Sequence, residues 1–223
     1  MRGDVAIPAN YRYSLALPKP PAKRRRDCFA PHLHASEGLA KTSKMNKLPI
    51  YKTEGIILKS ADLGQLDRLL TIYTAGYGKI LARAISVRKK ESKLRGYLEP
   101  FTHAKFLLAK SRTIDIVTDV EAIDSFSYLH KNLESLAYAY YFSELVDKLV
   151  VAPERDIKIW ALLKRAMGVL NERRTDLRKV RTAFEEKLLE FLGHGIPKNK
   201  TALEIIQGLA EEEIISEKFL KAL

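Results

Sequence analysis

Between Arg88 and Arg95 the chain sets five cations, Arg88, Lys89, Lys90, Lys93 and Arg95, against one acid, Glu91. Lysine and arginine in such a run neutralise phosphates and release counterions, an interaction indifferent to base sequence. Lys79 and Arg83 lie just upstream and lengthen the series. Tyr73, Tyr77 and Tyr97 flank it, and an exposed tyrosine ring can stack on a base, whereas a core or rim tyrosine cannot. A solvated loop of mixed use is the competing reading, so the elements that hold these residues decide between the two.

Other residue types offer less chemistry. No glycine-rich phosphate loop, nucleophile elbow or metalloprotease helix motif occurs in the sequence. Asp62 with Asp67, and Asp115 with Asp119, have the composition of an acid and base pair. Asp115 and Asp119 are expected on the wet face of a strand instead. Cys28, His32 and His34 have loosely metal-like spacing but lack a fourth ligand. His194 lies between two glycines at a helix end, and His103 and His130 are isolated in sequence. These observations point away from an enzyme and require no cofactor.

The 223 residues carry 39 Lys and Arg against 27 Asp and Glu, a net charge of +12. Residues 1–48 contribute +7, residues 49–125 contribute +4 and residues 126–223 only +1. An excess placed in this way favours polyanionic partners. One cysteine excludes an internal disulfide and, with no secretory signal pattern, points to a reducing, cytoplasmic location. The longest apolar stretch, Leu136 to Val151, is broken by Glu144, Asp147 and Lys148, too soon to span a bilayer.

Residues 1–48 are rich in proline and cations and have no apolar period, so they read as a disordered head, with Met45 the expected natural start. From Tyr51 the pattern is that of strands. "EGIILKS" is the first and "LDRLLTIYT" the second; "AGYG" supplies a turn into the third, "KILARAISV". "FTHAKFLLAKS" and "TIDIVTDVEAI" form a further hairpin around Ser111 and Arg112, with Ile114, Ile116, Thr118 and Val120 on one face of the last strand. Five short strands, with a helix or loop between the third and fourth, predict an OB-fold barrel over residues 49–125. The period then lengthens. Leu129, Leu133, Leu136 and Tyr140 make one helical stripe. Ile159, Leu162, Ala166 and Leu170 make a second, and Leu177, Val180, Phe184, Leu188 and Phe191 a third. "TALE" at 201–204 is a capping box, and "EEE" at 211–213 suits a helix N-terminus. Residues 126–223 are therefore an all-α domain, and the fold class is α+β.

The strings "EGIILKS", "DRLLT", a "GK" opening the third strand, "SKLRGYLEPF" and the later "FEEKLLEFLGHGIP" occur in that order. Together they resemble the RecO family of bacterial recombination mediators over roughly residues 50 to 197. The resemblance implies an OB-fold barrel on a helical domain without catalytic activity. It implies binding of single- and double-stranded DNA, annealing of complementary strands, and help in loading RecA onto strands coated with the single-stranded-DNA-binding protein SSB. The acidic, apolar-ended SSB tail and RecR are the implied protein partners. By resemblance Arg88, Lys89, Lys90, Lys93 and Arg95 are the leading DNA contacts, with Lys79 and Arg83 beside them. Arg155, Lys158 and Arg181 border the apolar stripes and are candidates for the SSB tail.

Three departures stand out. Many members carry a cysteine zinc site, for which a chain whose one cysteine is Cys28 lacks the ligands. A glycine usually precedes the family's basic run, where this chain has Ser86 and Val87. The chain ends soon after the last matching motif, so RecR is expected with less support than DNA. The alternative function is a protein-interaction adaptor whose basic surface binds acidic tails, with DNA incidental.

Overall fold

The computed structural model describes residues 49–92 and 94–221, and of Arg95 the backbone alone; the described residues belong to one compact unit. The proline-rich head, with Cys28, His32, His34 and Met45, lies outside the described residues, as does Lys93.

Five strands close a barrel in the order β1-β2-β3-β5-β4, the OB-fold arrangement. They are β1 (Ile50–Leu63), β2 (Asp67–Thr74), β3 (Gly78–Ala84), β4 (His103–Ala109) and β5 (Asp115–Asp124). β1 is twice the length read from "EGIILKS", because it pairs with β4 along its first half and with β2 along its second. A bulge between Ile57 and Lys59 bends it from one pairing to the other. Ile57, Leu70, Ile72, Ala82, Phe106, Leu108 and Val117 fill the interior. At the β2–β3 turn Gly78 has φ +65, and a Cβ there would stand 2.1 Å from the Glu154 carbonyl oxygen, so the position admits only glycine.

Two strand assignments change. The third strand ends at Ala84, not Val87, because Ser86 turns into the left-handed region at φ 55 and sends Val87 into the barrel core. In β5 a register shift opposite Leu107 and Leu108 leaves Thr118 unpaired and reverses the alternation. The buried residues are therefore Asp115, Val117 and Val120, with Thr118 exposed. Asp115 is thus not on the wet face. Its carboxylate accepts hydrogen bonds from Tyr51 Oη (2.5 Å), the Ser111 amide (3.0 Å) and Lys110 Nζ (3.2 Å). Burial raises its pKa, but these three donors outweigh burial and hold it below the usual carboxylate value.

Six helices follow: α1 (Ser127–Lys131), α2 (Leu133–Leu149), α3 (Ile157–Leu170), α4 (Leu177–Phe191), α5 (Ala202–Leu209) and α6 (Ile215–Lys221). The second and third stripes face the core as their spacing requires. The first stripe is split between two helices, since Asn132 ends α1 and caps α2 by accepting from the Ser135 amide at 2.8 Å. α2 is then buried on most sides, from Ser135 to Val146, while Leu133 stays exposed. The capping box of Thr201 and Glu204 forms as read. The carboxylate at the start of α6 is Glu144 of α2, which accepts from the Ile215 and Ser216 amides; the "EEE" run lies just before that helix. The helical core takes in Ile56, Leu58, Tyr73 and Phe101, so the outer wall of the barrel and the helices share one apolar cluster.

Candidate nucleic-acid interface

The β3–β4 connection, residues 85–102, crosses one end of the barrel and is held there by carboxylates. Asp67, at the start of β2, accepts from Arg83 Nε at 2.8 Å and from the Ser86 amide at 2.7 Å. The Ser86 amide, and after it the Arg83 guanidinium, keeps the Asp67 carboxyl below its usual value. The left-handed turn that a glycine would adopt freely is therefore stabilised at Ser86 by a charge-assisted bond to its amide. Asp62, at the end of β1, lies 3.3 Å from Arg88 Nη1 and 3.9 Å from Arg68 Nε. Arg68 also reaches Glu99 at 3.0 Å and the Leu98 carbonyl at 3.4 Å, fastening the far end of the connection. Asp62 and Asp67, which composition alone made an acid and base pair, hold arginines in place.

The five predicted cations whose side chains are described fall into three kinds. Arg83 and Arg88 are anchored by those carboxylates yet remain 47% and 38% exposed, so part of each guanidinium is open to an incoming oxygen. Lys89 and Lys90 are exposed on a run of turns and have no ion pair among the described residues. Arg95 opens a one-turn 3₁₀ helix that ends at Tyr97. Lys79 lies apart: its side chain is 15% exposed, and it donates to the Asp147 carbonyl oxygen and pairs with the Asp147 carboxylate at 3.6 Å. Burial lowers its pKa, and Asp147 opposes that shift.

The tyrosines separate in the same way. Tyr73 is fully buried with its hydroxyl 3.4 Å from the Asp156 carbonyl, and burial pushes its pKa up to about 12. Tyr77 and Tyr97 are about half exposed, though Tyr77 packs edge-on to Tyr51 with ring centres 4.6 Å apart.

Two cations on the β4–β5 turn come beside β3 without having been singled out in the sequence. β5 pairs in parallel with β3, Ala82 opposite Asp115 and Arg83 opposite Ile116, which carries the turn containing Lys110 and Arg112 to the strand that bears Arg83. Both are exposed, Lys110 while bonded to Asp115. The sequence marks them as a turn; only the closure of the barrel makes them neighbours of β3.

On the helical side Arg155 and Lys158 are exposed, and Lys158 Nζ lies 5.8 Å from the Phe191 ring centre. Arg181 is not with them. Ten residues separate it from Phe191 along α4, about 15 Å of helix. It is 20% exposed, bonded to Glu185 at 2.6 Å and to Tyr141 Oη at 3.4 Å, stacked 4.7 Å over the Tyr141 ring and 3.9 Å from Glu217.

Among the described residues no helix is long and apolar enough to cross a membrane, and no group of three or more His, Cys, Asp or Glu is placed to hold a metal ion. His103 is buried, with Nε2 2.6 Å from Glu54.

Residues 45–126 match the family model described as Recombination protein O N terminal, and residues 130–203 match Recombination protein O C terminal. Similar relatives are named DNA repair protein RecO. That of Pelotomaculum thermopropionicum is 35% identical over 147 residues, covering 66% of this chain and 57% of the relative. That of a Roseiflexus species is 38% identical over 146 residues, covering 65% and 50%. That of Desulforudis audaxviator is 32% identical over 173 residues, covering 78% and 67%. The chain spans about half the length of the first two. With both halves matched in order, a closed OB barrel and helices packed on its wall, the chain belongs to the RecO family.

Proposed function

We propose that this chain is a non-catalytic DNA-binding mediator of recombinational repair, which anneals complementary strands and assists RecA loading onto SSB-coated single strands. The observation that carries this reading is the exposed pair Lys89 and Lys90, free of ion pairs among the described residues, beside Arg83 and Arg88 held by Asp67 and Asp62. Lys93 and Arg95 continue the series in sequence, and Lys110 and Arg112 extend it around the barrel. Lys79 is left out of the proposed surface because its charge is committed to Asp147. Cations gathered at one end of a barrel screen the repulsion between two phosphate backbones, and base pairing supplies the sequence recognition. The role places the protein in the cytoplasm, at the nucleoid.

Alanine at Arg88, Lys89, Lys90, Lys93 and Arg95 tests it. Binding to a single strand should lose about 0.7 of log–log salt slope for each phosphate contact removed. A folded variant with the parent slope rejects the assignment. Annealing of bare and SSB-coated strands, run beside capture on an SSB-tail peptide, separates this role from that of an adaptor. For the tail, Lys158 beside Phe191, with the exposed Arg155 three residues earlier in sequence, is the proposed cationic, apolar surface, and RecR is a further proposed partner.

A further inference from the structure

The α3–α4 connection and the start of α4 read "NERRTDLRK" and carry Arg173, Arg174, Arg178 and Lys179. All four are exposed. Arg174 and Arg178 have no ion pair among the described residues; Lys179 pairs only with Asp176, at 3.4 Å on an open surface. α1 is fastened to this corner, because Asn171 Oδ1 accepts from the Tyr128 and Leu129 amides at 3.0 and 3.1 Å. The Arg173 guanidinium lies 6.0 Å over the Tyr128 ring, and Lys131, one turn further along α1, is exposed. The His130 ring on the same helix lies 6.1 Å from that of Phe101, so the corner adjoins the end of the basic β3–β4 connection.

The placement opposes the electrostatics of the helix. The first turn of α4 holds Arg178 and Lys179 and no acid, although a helix N-terminus favours negative charge. Clustered cations also repel one another, and the four are opposed locally by two acids, Glu172 in the connection and Asp176 as N-cap. Within the fold Lys179 pairs with Asp176 and Arg173 lies over Tyr128, but Arg174 and Arg178 have no ion pair among the described residues, and an external polyanion would gain from all four.

We propose that Arg173, Arg174, Arg178 and Lys179, with Tyr128 and Lys131 beside them, bind the phosphate backbone of nucleic acid and lengthen the track that begins at the barrel. The ligand class rests on the proposed function, but the site does not depend on the barrel residues.

The experiment uses the full chain, titrated by fluorescence anisotropy with a labelled strand of about 40 nucleotides, longer than the 4–16 that one OB fold covers. Alanine at Arg173, Arg174, Arg178 and Lys179 should lower the log–log salt slope by about 2 to 3. On a strand of about 10 nucleotides, short enough for the barrel alone, affinity should stay close to the parent value. Arg178→Glu should weaken binding of the long strand and raise Tm by about 2 °C, since an acid replaces a cation at a helix start. A merely structural role for Arg178 would lower Tm instead. An unchanged slope in the fourfold variant overturns the proposal. So does loss of binding to a polyglutamate peptide with DNA binding intact, which would assign the corner to an acidic protein. The barrel variant is measured in parallel. If that variant alone keeps the parent slope, the barrel reading fails and the corner stands; if the corner variant alone keeps it, the reverse holds.

Discussion

Lys89 and Arg181 are both cations in polar stretches, but the structure uses them in opposite ways. At the barrel end, Lys89 and Lys90 face solvent, and the neighbouring carboxylates Asp62 and Asp67 orient arginines while leaving them partly open. In the helical half, Arg181 is enclosed by Glu185, Glu217 and Tyr141, and at the junction Lys79 and Lys59 share Asp147. A cation whose charge is matched inside the fold contributes to stability. One left unmatched at the surface is available to a partner, and this difference cannot be counted from composition.

The contrast can be broken at either end. The largest effect is expected from Arg181→Ala, which takes the guanidinium away from the buried Glu185, itself bonded to Tyr141, and from the buried Glu217. Breaking such a pair costs about 3 kcal/mol, somewhat less here because Arg181 is partly exposed. Urea unfolding should show that loss, with DNA affinity unchanged in the folded fraction. Asp147→Ala comes next. It strands Lys79 in a site where burial already lowers its pKa, and should cost about 1–2 kcal/mol in the same measurement. A drop in DNA affinity of the folded Asp147→Ala protein would contradict the assignment of Lys79 to the junction.

Lys89→Ala with Lys90→Ala should change stability by less than about 0.5 kcal/mol, as for open surface positions. The same pair should lower the single-strand salt slope by about 1.4, two contacts at 0.7 each. The smallest effect is local and depends on pH. Asp67 is held below its unfolded pKa by the Ser86 amide and Arg83, so its stabilisation is present above the ordinary carboxylate value near 4. It is lost as pH falls from there through the folded value. Hydrogen exchange at the Ser86 amide should lose protection over that acid window, and Asp67→Asn should remove the pH dependence.

Local signals were the easiest to read. The capping box at Thr201 and Glu204, the stripes of α3 and α4, and the five-strand inventory depend on residues a few positions apart, and all are present. Features that depend on distant partners were not legible. The phase of β5 turns on a bulge against β4, and one unpaired residue there moves Asp115 from the wet face to a buried site beside Tyr51. The first helical stripe crosses Asn132, whose side chain ends one helix and starts the next. Among the candidate site residues, the exposed lysines of the basic run were legible as charge. The closeness of Lys110 and Arg112 to β3 was not, because it comes from the parallel pairing that closes the barrel.

The sequence by itself determined the element types, the order of barrel and helices, the family resemblance and the position of the cation-rich run. Periodicity, caps and motifs are properties of neighbouring residues, and they survive folding. The tertiary structure decided which charges are matched. Asp147 lies 68 residues from Lys79, and Asp67 lies 19 from Ser86. Coulomb attraction and hydrogen bonding act across space, so only the closed barrel and its packed helices bring those partners within reach.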